Sequence, residues 1–373
     1  MKRFLAILLV VIGTVFILFS ALWDVHWRVP TIFDGRILGG IPLRMKRSSN
    51  IDELKLYQIP DISLWTTPEI TRKFKNIHQF LQRTSTTAFV VVKDGRVIFE
   101  YYGNGVEKGD ITQIFSVTKV LVTALLGIAM NEGYIATLDQ PVSDFLPDYR
   151  KKKYSKLTLR HLVQMQSGLD YDEYGRIFQT LRFYYQQNVN KLLQNPEMKH
   201  EPGMVFTYKS IDTQILAECL EKAVGMPLTD YFKTRLWDQL EPEDSTSWSY
   251  DSPWHRKPKY FGGLNASARD IAKFGVAVAQ DGKYKGKQII PAAWLNMCDD
   301  VSCRNGENFY CNGWWYGEDD EETNCYFGAG FNGQTLFINE TTQTVIVRLG
   351  KNKGGVYWYP LFKKLSLALV QNS

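Results

Sequence analysis

Residues 116–130 follow a helical pattern that is apolar on nearly every face, and Gly133 closes the run. A helix without a polar stripe has to be covered on all sides, so the rest of the chain must build layers around it. Lys119 stands at the start of this helix, ahead of Val120, Leu121, Val122 and the apolar stretch 124–128. An ammonium group there is expensive to bury unless its charge is relieved or used.

The flanking segments say what those layers are. Residues 87–92 and 96–101 alternate as strands about Asp94-Gly95, a strong hairpin signal. The stretch from about 140 to 255 carries mostly helical patterns. Residues 267–279 form an amphipathic helix with Ser267 as N-cap and Asp270 at its third position. Residues 333–339 and 344–349 are β-rich, and 357–370 read as a closing helix. The order sheet, helices, sheet predicts one α/β domain made from both ends of the chain, with a helical insertion at about 140–255. No repeat or low-complexity tract interrupts it.

Composition narrows the partners. Of 373 residues, 45% are hydrophobic and 22% charged, the balance of a globular protein with a core. The net charge of +5 is spread out, and the longest basic run, 150–153, lacks the interleaved aromatic or glycine residues of nucleic-acid binders. A nucleic-acid partner is therefore excluded. The 14% aromatic content is read as packing. After Lys2 and Arg3, residues 4–23 carry no charge, long enough for a bilayer-spanning helix and longer than the apolar core of most signal peptides. Residues 1–23 are accordingly expected to be a transmembrane anchor or uncleaved signal and 24–70 a linker and lead-in. The domain at 71–373 is expected outside the cytoplasm. Cys298, Cys303, Cys311 and Cys325 cluster in one stretch, for which two disulfides are the expected use and zinc the rival; Cys219 reads as a buried small hydrophobe. Oligomeric state leaves no mark in the sequence.

The residues able to do chemistry are few. No G-x-S-x-G elbow exists, and the five histidines (26, 78, 161, 200, 255) stand without a partner pattern, which argues against a Ser-His-Asp triad. An amine is the other activator of a serine. Ser116-Val117-Thr118-Lys119 is the one S-x-x-K in the chain, and one helical turn brings the lysine nitrogen to the serine hydroxyl. Burial would depress the lysine pKa and leave a neutral amine able to act as a base.

This S-x-x-K, with Leu157-Thr158-Leu159-Arg160-His161-Leu162 leading to Ser167-Gly168-Leu169, resembles the serine β-lactamase-like, or penicillin-recognising, hydrolases. Glu201-Pro202-Gly203 followed by Phe206-Thr207-Tyr208-Lys209-Ser210-Ile211-Asp212-Thr213 is similar to the family's second motif. Phe261-Gly262-Gly263-Leu264-Asn265-Ala266 with Arg269-Asp270 resembles its glycine turn, and Gly330-Phe331-Asn332-Gly333-Gln334 stands where its third motif lies. The resemblance spans roughly 75 to 370. It implies a three-layer α/β fold, an antiparallel sheet flanked by helices, and an acyl-enzyme that needs no cofactor or metal. It also implies Ser116 as nucleophile, Lys119 beside it, and Tyr208 as proton shuttle, with a phenol pKa lowered by neighbouring ammonium groups. Backbone N–H groups of Ser116 and Gln334 would form the oxyanion hole, with Ser210, Phe331, Asn332 and Gly333 against substrate. Segment 170–174 would border the pocket.

Two departures bear on substrate. Phe331 stands where β-lactamases and D,D-peptidases carry Lys or His to hold a substrate carboxylate, and Ser210 stands where they usually have Asn. The F-x-Y-K-S-x-D-T form is closer to the family's carboxylesterases and 6-aminohexanoate-dimer hydrolases. A small ester or amide is the expected substrate. The alternatives are a cell-wall D,D-peptidase, D-amino-acid esterase or β-lactamase, and a non-catalytic sensor or scaffold.

Overall fold

The structure, a computed structural model, describes residues 40–43, 49–53, 59–175, 177–297, 304–305, 308–317 and 324–371. Its strands are β1 (Gly40–Leu43), β2 (Thr86–Lys93), β3 (Arg96–Tyr102), β4 (Thr112–Gln113), β5 (Thr246–Ser249) and β6 (Leu264–Ala266), then β7 (Arg304–Asn305), β8 (Asn308–Cys311), β9 (Trp314–Tyr316), β10 (Cys325–Ala329), β11 (Thr335–Asn339) and β12 (Thr344–Gly350). The helices that matter here are α1 (Ile77–Arg83), α2 (Thr118–Asn131), α3 (Ile177–Tyr185), α4 (Ser210–Val224), α5 (Ala268–Ala279) and α6 (Trp358–Gln371).

The main sheet is antiparallel throughout, in the order β3-β2-β12-β11-β10-β9-β8-β7, so strands from both ends of the domain meet where β2 pairs with β12. The hairpin joining β2 to β3 turns on Asp94 (φ 52°) and Gly95 (φ 76°), the left-handed pair a two-residue hairpin needs. The period of two along each central strand divides the core. Phe89 and Val91 of β2, Phe337 of β11 and Ile346 of β12 pack with Phe80 of α1 and Phe362 of α6. Val90, Val92, Leu336, Ile338, Val345 and Val347 face the other way, onto the cluster that includes α2 and α5. Apolar residues on both faces are what a strand between two helical layers requires.

Helix α2 is buried from Thr118 to Ala129, as its all-round apolar pattern demands. Gly127 lets Trp294 lie against it: a Cβ there would stand 2.2 Å from the indole. Ser267 caps α5, its hydroxyl accepting from the Asp270 N–H at 3.3 Å. Between β4 and β5 the chain is helical, in short 3-10 turns, α3, α4 and the helix Leu228–Arg235. A second sheet, β1-β5-β6-β4, lies at the boundary of this segment.

Two expectations are corrected. The anchor expected over residues 4–23 lies outside the described residues, and among these no helix is long and apolar enough to cross a membrane. The structure thus does not support a membrane-tethered, extracytoplasmic placement. In the cysteine cluster Cys311 is disulfide-bonded, but Cys325 is a buried thiol on β10, so the cluster does not form two disulfides. Cys298 and Cys303 lie outside the described residues. Reducing the Cys311 bond with dithiothreitol should lower the melting temperature by roughly 5 °C. An unchanged melting curve would show that the bond does not stabilise the native fold.

Candidate active site

Ser116 lies in a 3-10 turn, Phe115–Val117, that runs directly into α2. Phe115, buried and at φ 49°, holds the left-handed backbone that a bulky residue adopts only under strain. The turn places the Ser116 hydroxyl over the first turn of α2, where Lys119 Nζ donates to Oγ at 3.0 Å. Lys119 is fully buried, and burial pulls its pKa down to about 8, against the negative charge of Glu173, which raises it.

The remaining partners of Lys119 come from far along the chain. Its Nζ donates to the Phe261 carbonyl at 2.7 Å and to Ser210 Oγ at 3.1 Å. Ser210 opens α4, and Glu173 grips it twice: Oε2 accepts from the Ser210 N–H at 2.8 Å and Oε1 from the Ser210 hydroxyl at 2.8 Å. The loop that delivers Glu173 is tied by its own backbone, the Glu173 carbonyl accepting from Thr180 Oγ1 at 2.6 Å. A charged chain therefore runs Glu173, Ser210, Lys119, Ser116.

Tyr208 precedes α4, and its ring lies below Lys119 Nζ, 5.1 Å from the centroid. Tyr310 and Trp315 enclose it at 5.7 and 5.4 Å between centroids, and the exposed Tyr174 stacks on it at 6.1 Å. Burial in this aromatic box pushes the Tyr208 phenol well above 10, and the neighbouring Ser116 hydroxyl opposes that. The phenolate-favouring environment expected from sequence is thus corrected: the ammonium sits over the ring face, and Tyr208 keeps its proton.

The third-motif turn, Phe331–Gly333, connects β10 to β11 along the same edge. Its Phe331 ring packs edge-on against Phe115 at 5.7 Å. Gly330 is glycine because a Cβ would lie 2.5 Å from the Ile114 carbonyl, so this backbone passes directly beside the nucleophile turn.

The sequence profile of the beta-lactamase family matches residues 74–356. The chain belongs to the beta-lactamase family. It is 25% identical over 304 residues to the 6-aminohexanoate-dimer hydrolase of Paenarthrobacter ureafaciens, covering 75% of this chain and 76% of that one. A shorter match, 26% over 171 residues, covering 43% of this chain and 44% of the other, links it to the D-alanyl-D-alanine-carboxypeptidase/endopeptidase AmpH of Escherichia coli K12. Among solved structures, a Bacillus anthracis protein assigned to the 6-aminohexanoate-dimer hydrolases superposes with a TM-score of 0.76 at 22% identity, covering 94% of this chain and 93% of that one. The penicillin-binding protein of Bacillus halodurans gives 0.62 at 16%, covering 78% and 98%.

Within this beta-lactamase-family fold the motif residues divide into those that reach Ser116 and those that brace it. Lys209 and Asp212 brace: Lys209 Nζ donates to Ser167 Oγ at 3.0 Å, and that hydroxyl donates to Asp212 Oδ1 at 2.6 Å. Asn332 and Gly333 turn their carbonyls inward, each accepting from Arg348 Nη1 at 2.9 Å. Arg348 is fully buried on β12, donates also to Thr86, Thr84 and Asn352, and is pushed down to about 9 by burial. Gln334 departs from its expected part in the oxyanion hole. Its backbone N–H turns back to the Phe331 carbonyl at 3.4 Å, and its side chain is locked to Gly350 and Gln113. Sequence reasoning missed Glu173, Tyr184 and Arg348. Glu173 lies in the pocket-bordering segment flagged from resemblance, and Arg348 interrupts the apolar run of β12.

Proposed function

We propose that this chain is a serine hydrolase that works through an acyl-enzyme on small neutral esters or amides. The observation that carries the reading is the hydrogen-bond accounting at Lys119. A neutral amine has a pair of N–H donors and one lone pair. The Phe261 carbonyl can only accept, and Ser210 Oγ, its proton committed to Glu173, accepts as well. Both N–H groups are thereby used, and the lone pair is left facing the Ser116 hydroxyl.

In this reading Ser116 Oγ attacks the substrate carbonyl as its proton passes to Lys119. The bond to the leaving group then breaks, and that group leaves with a proton returned through Tyr208. Water then attacks the acyl carbon as its proton passes to Lys119, the carbon–Oγ bond breaks, and Lys119 passes that proton to Oγ. The Ser116 N–H and, in place of Gln334, the Phe331 N–H hold the oxyanion, each worth about 3–4 kcal/mol in such sites. Gly330 and the Phe115–Phe331 contact support that choice, since they bring the 330–331 backbone against the nucleophile turn.

The neutral-substrate reading rests on Phe331. It puts a half-exposed ring where a carboxylate anchor would stand, and the buried carboxylate of Glu173 makes the site less hospitable to anions. Wild-type enzyme is expected to hydrolyse p-nitrophenyl acetate and butyrate, with Ser116→Ala reducing turnover at least a thousandfold, about the scale of losing a catalytic nucleophile. Intact-mass spectra should show an acyl adduct on wild type only. Equal turnover by Ser116→Ala would refute the assignment, and acylation by labelled penicillin in preference to esters would shift it to the cell-wall peptidases.

A further inference from the structure

A second phenol, Tyr184 near the end of α3, faces Ser116 and has no part in catalysis as proposed so far. Its ring stands edge-on to Phe261 at 5.0 Å and 6.3 Å from Phe115, the residue before the nucleophile. Its oxygen occupies a notch kept open by Gly262: a Cβ there would lie 3.0 Å from Tyr184 Oη and 3.4 Å from the Phe115 carbonyl carbon. The space beside Gly262 is thus shared by the Tyr184 hydroxyl and the carbonyl of Phe115, the residue before the nucleophile. Burial first, and then the negative charge of Glu173, push the phenol well above 10, while the neighbouring Ser116 hydroxyl pulls the other way. A phenol that keeps its proton can serve Oγ as a donor.

Phe261 ties the arrangement together, its carbonyl accepting from Lys119 and its ring bracing Tyr184. The base and the second phenol are therefore placed by one residue. The ring contacts need only an aromatic side chain, so Phe would satisfy the packing, and the hydroxyl stands beside Ser116.

We propose that Tyr184 is a catalytic residue that donates a hydrogen bond to Ser116 Oγ and holds the negative charge gathering there as the acyl-enzyme is hydrolysed. The proposal rests on the serine-hydrolase reading. In the step concerned, water adds to the acyl carbon as it gives its proton to Lys119, the carbon–Oγ bond breaks with its electron pair going to Oγ, and Lys119 passes the water's proton to Oγ. Tyr184 keeps its own proton throughout, stabilising charge as an oxyanion donor does.

The test is stopped-flow hydrolysis of p-nitrophenyl acetate and phenyl acetate by the full chain and its Tyr184→Phe variant. A burst close to the wild-type rate is expected, followed by a steady state slowed about a hundredfold, the lower end of the range for losing one donor to a developing oxyanion. The acetyl adduct on Ser116 should accumulate in mass spectra. Tyr184→3-fluorotyrosine, a stronger donor of the same shape, should deacylate at or above the wild-type rate, which separates loss of the donor from any disturbance of folding. Unchanged deacylation in Tyr184→Phe would overturn the proposal. So would a burst slowed more for phenyl than for p-nitrophenyl acetate, which would make Tyr184 an acid for the leaving group. Wild-type enzyme that a fluorophosphonate fails to label at Ser116 would overturn the serine-hydrolase reading as well, whereas labelling with unchanged Tyr184→Phe kinetics would overturn this proposal alone.

Discussion

Lys119→Met should lower kcat/KM for p-nitrophenyl butyrate by about a thousandfold while leaving the melting temperature equal or higher, since general-base catalysis by a positioned group is commonly worth about 10²–10⁴. Methionine is the informative replacement because it keeps the volume that the buried helix needs and discards the charge. The amine costs stability through desolvation, relieved only by neutral acceptors and the more distant Glu173. Its removal therefore separates catalysis from folding. The pH profile gives a second reading. With Lys119 near 8, the active amine form should appear as pH rises through about 8. Below that value the lysine carries a third N–H, which points at Ser116 in place of the lone pair, and kcat/KM should fall tenfold per pH unit. The Met variant should lose this limb. Retention of more than a tenth of wild-type activity, or a limb that survives the substitution, would mean that Lys119 is not the base.

What could be read in advance was local in the chain. Ser116 and Lys119 share one helical turn, so their spacing alone predicts contact. The β2–β3 hairpin was legible because Asp94-Gly95 suits the turn, and β11 and β12 because their central residues, 336–338 and 345–347, are apolar on both faces. The rest of the site is assembled across distance. Glu173 meets Ser210 across 37 positions, and Lys119 meets Phe261 across 142. No periodicity or turn signal encodes such pairs; they exist only once α4 packs beside α2 and the loops carrying Glu173 and Phe261 meet them. Gln334 shows the opposite failure. Its motif was recognised, but the backbone angles at Asn332 (φ 63°) and Gly333 (φ 76°) turn the next N–H inward, a twist that residue names do not reveal. The cysteine cluster invited pairing by proximity in sequence, whereas Cys325 is buried within the sheet.

Glu173→Gln should move the acidic limb of kcat/KM below pH 8 and at the same time lower the plateau by about tenfold or more. The first effect follows from charge. Glu173 raises the Lys119 pKa, so a neutral amide in its place lets burial depress that pKa further. The Tyr208 phenol beside the amine is held protonated by burial, so it does not mask the shift. The second effect follows from direction. Glu173 accepts from both the N–H and the hydroxyl of Ser210, whereas glutamine can offer one oxygen and must turn an N–H toward one of those groups. If the amide oxygen keeps the buried Ser210 N–H, its NH₂ faces Ser210 Oγ and turns that hydroxyl to donate to Lys119. The lone pair would then be occupied by Ser210, and Ser116 would lose its base even though more of the lysine is neutral. A limb shifted down with a lower plateau is a combination that simple loss of packing does not produce. A limb moving to higher pH, or a plateau equal to wild type, would show that Glu173 neither tunes Lys119 nor aims it.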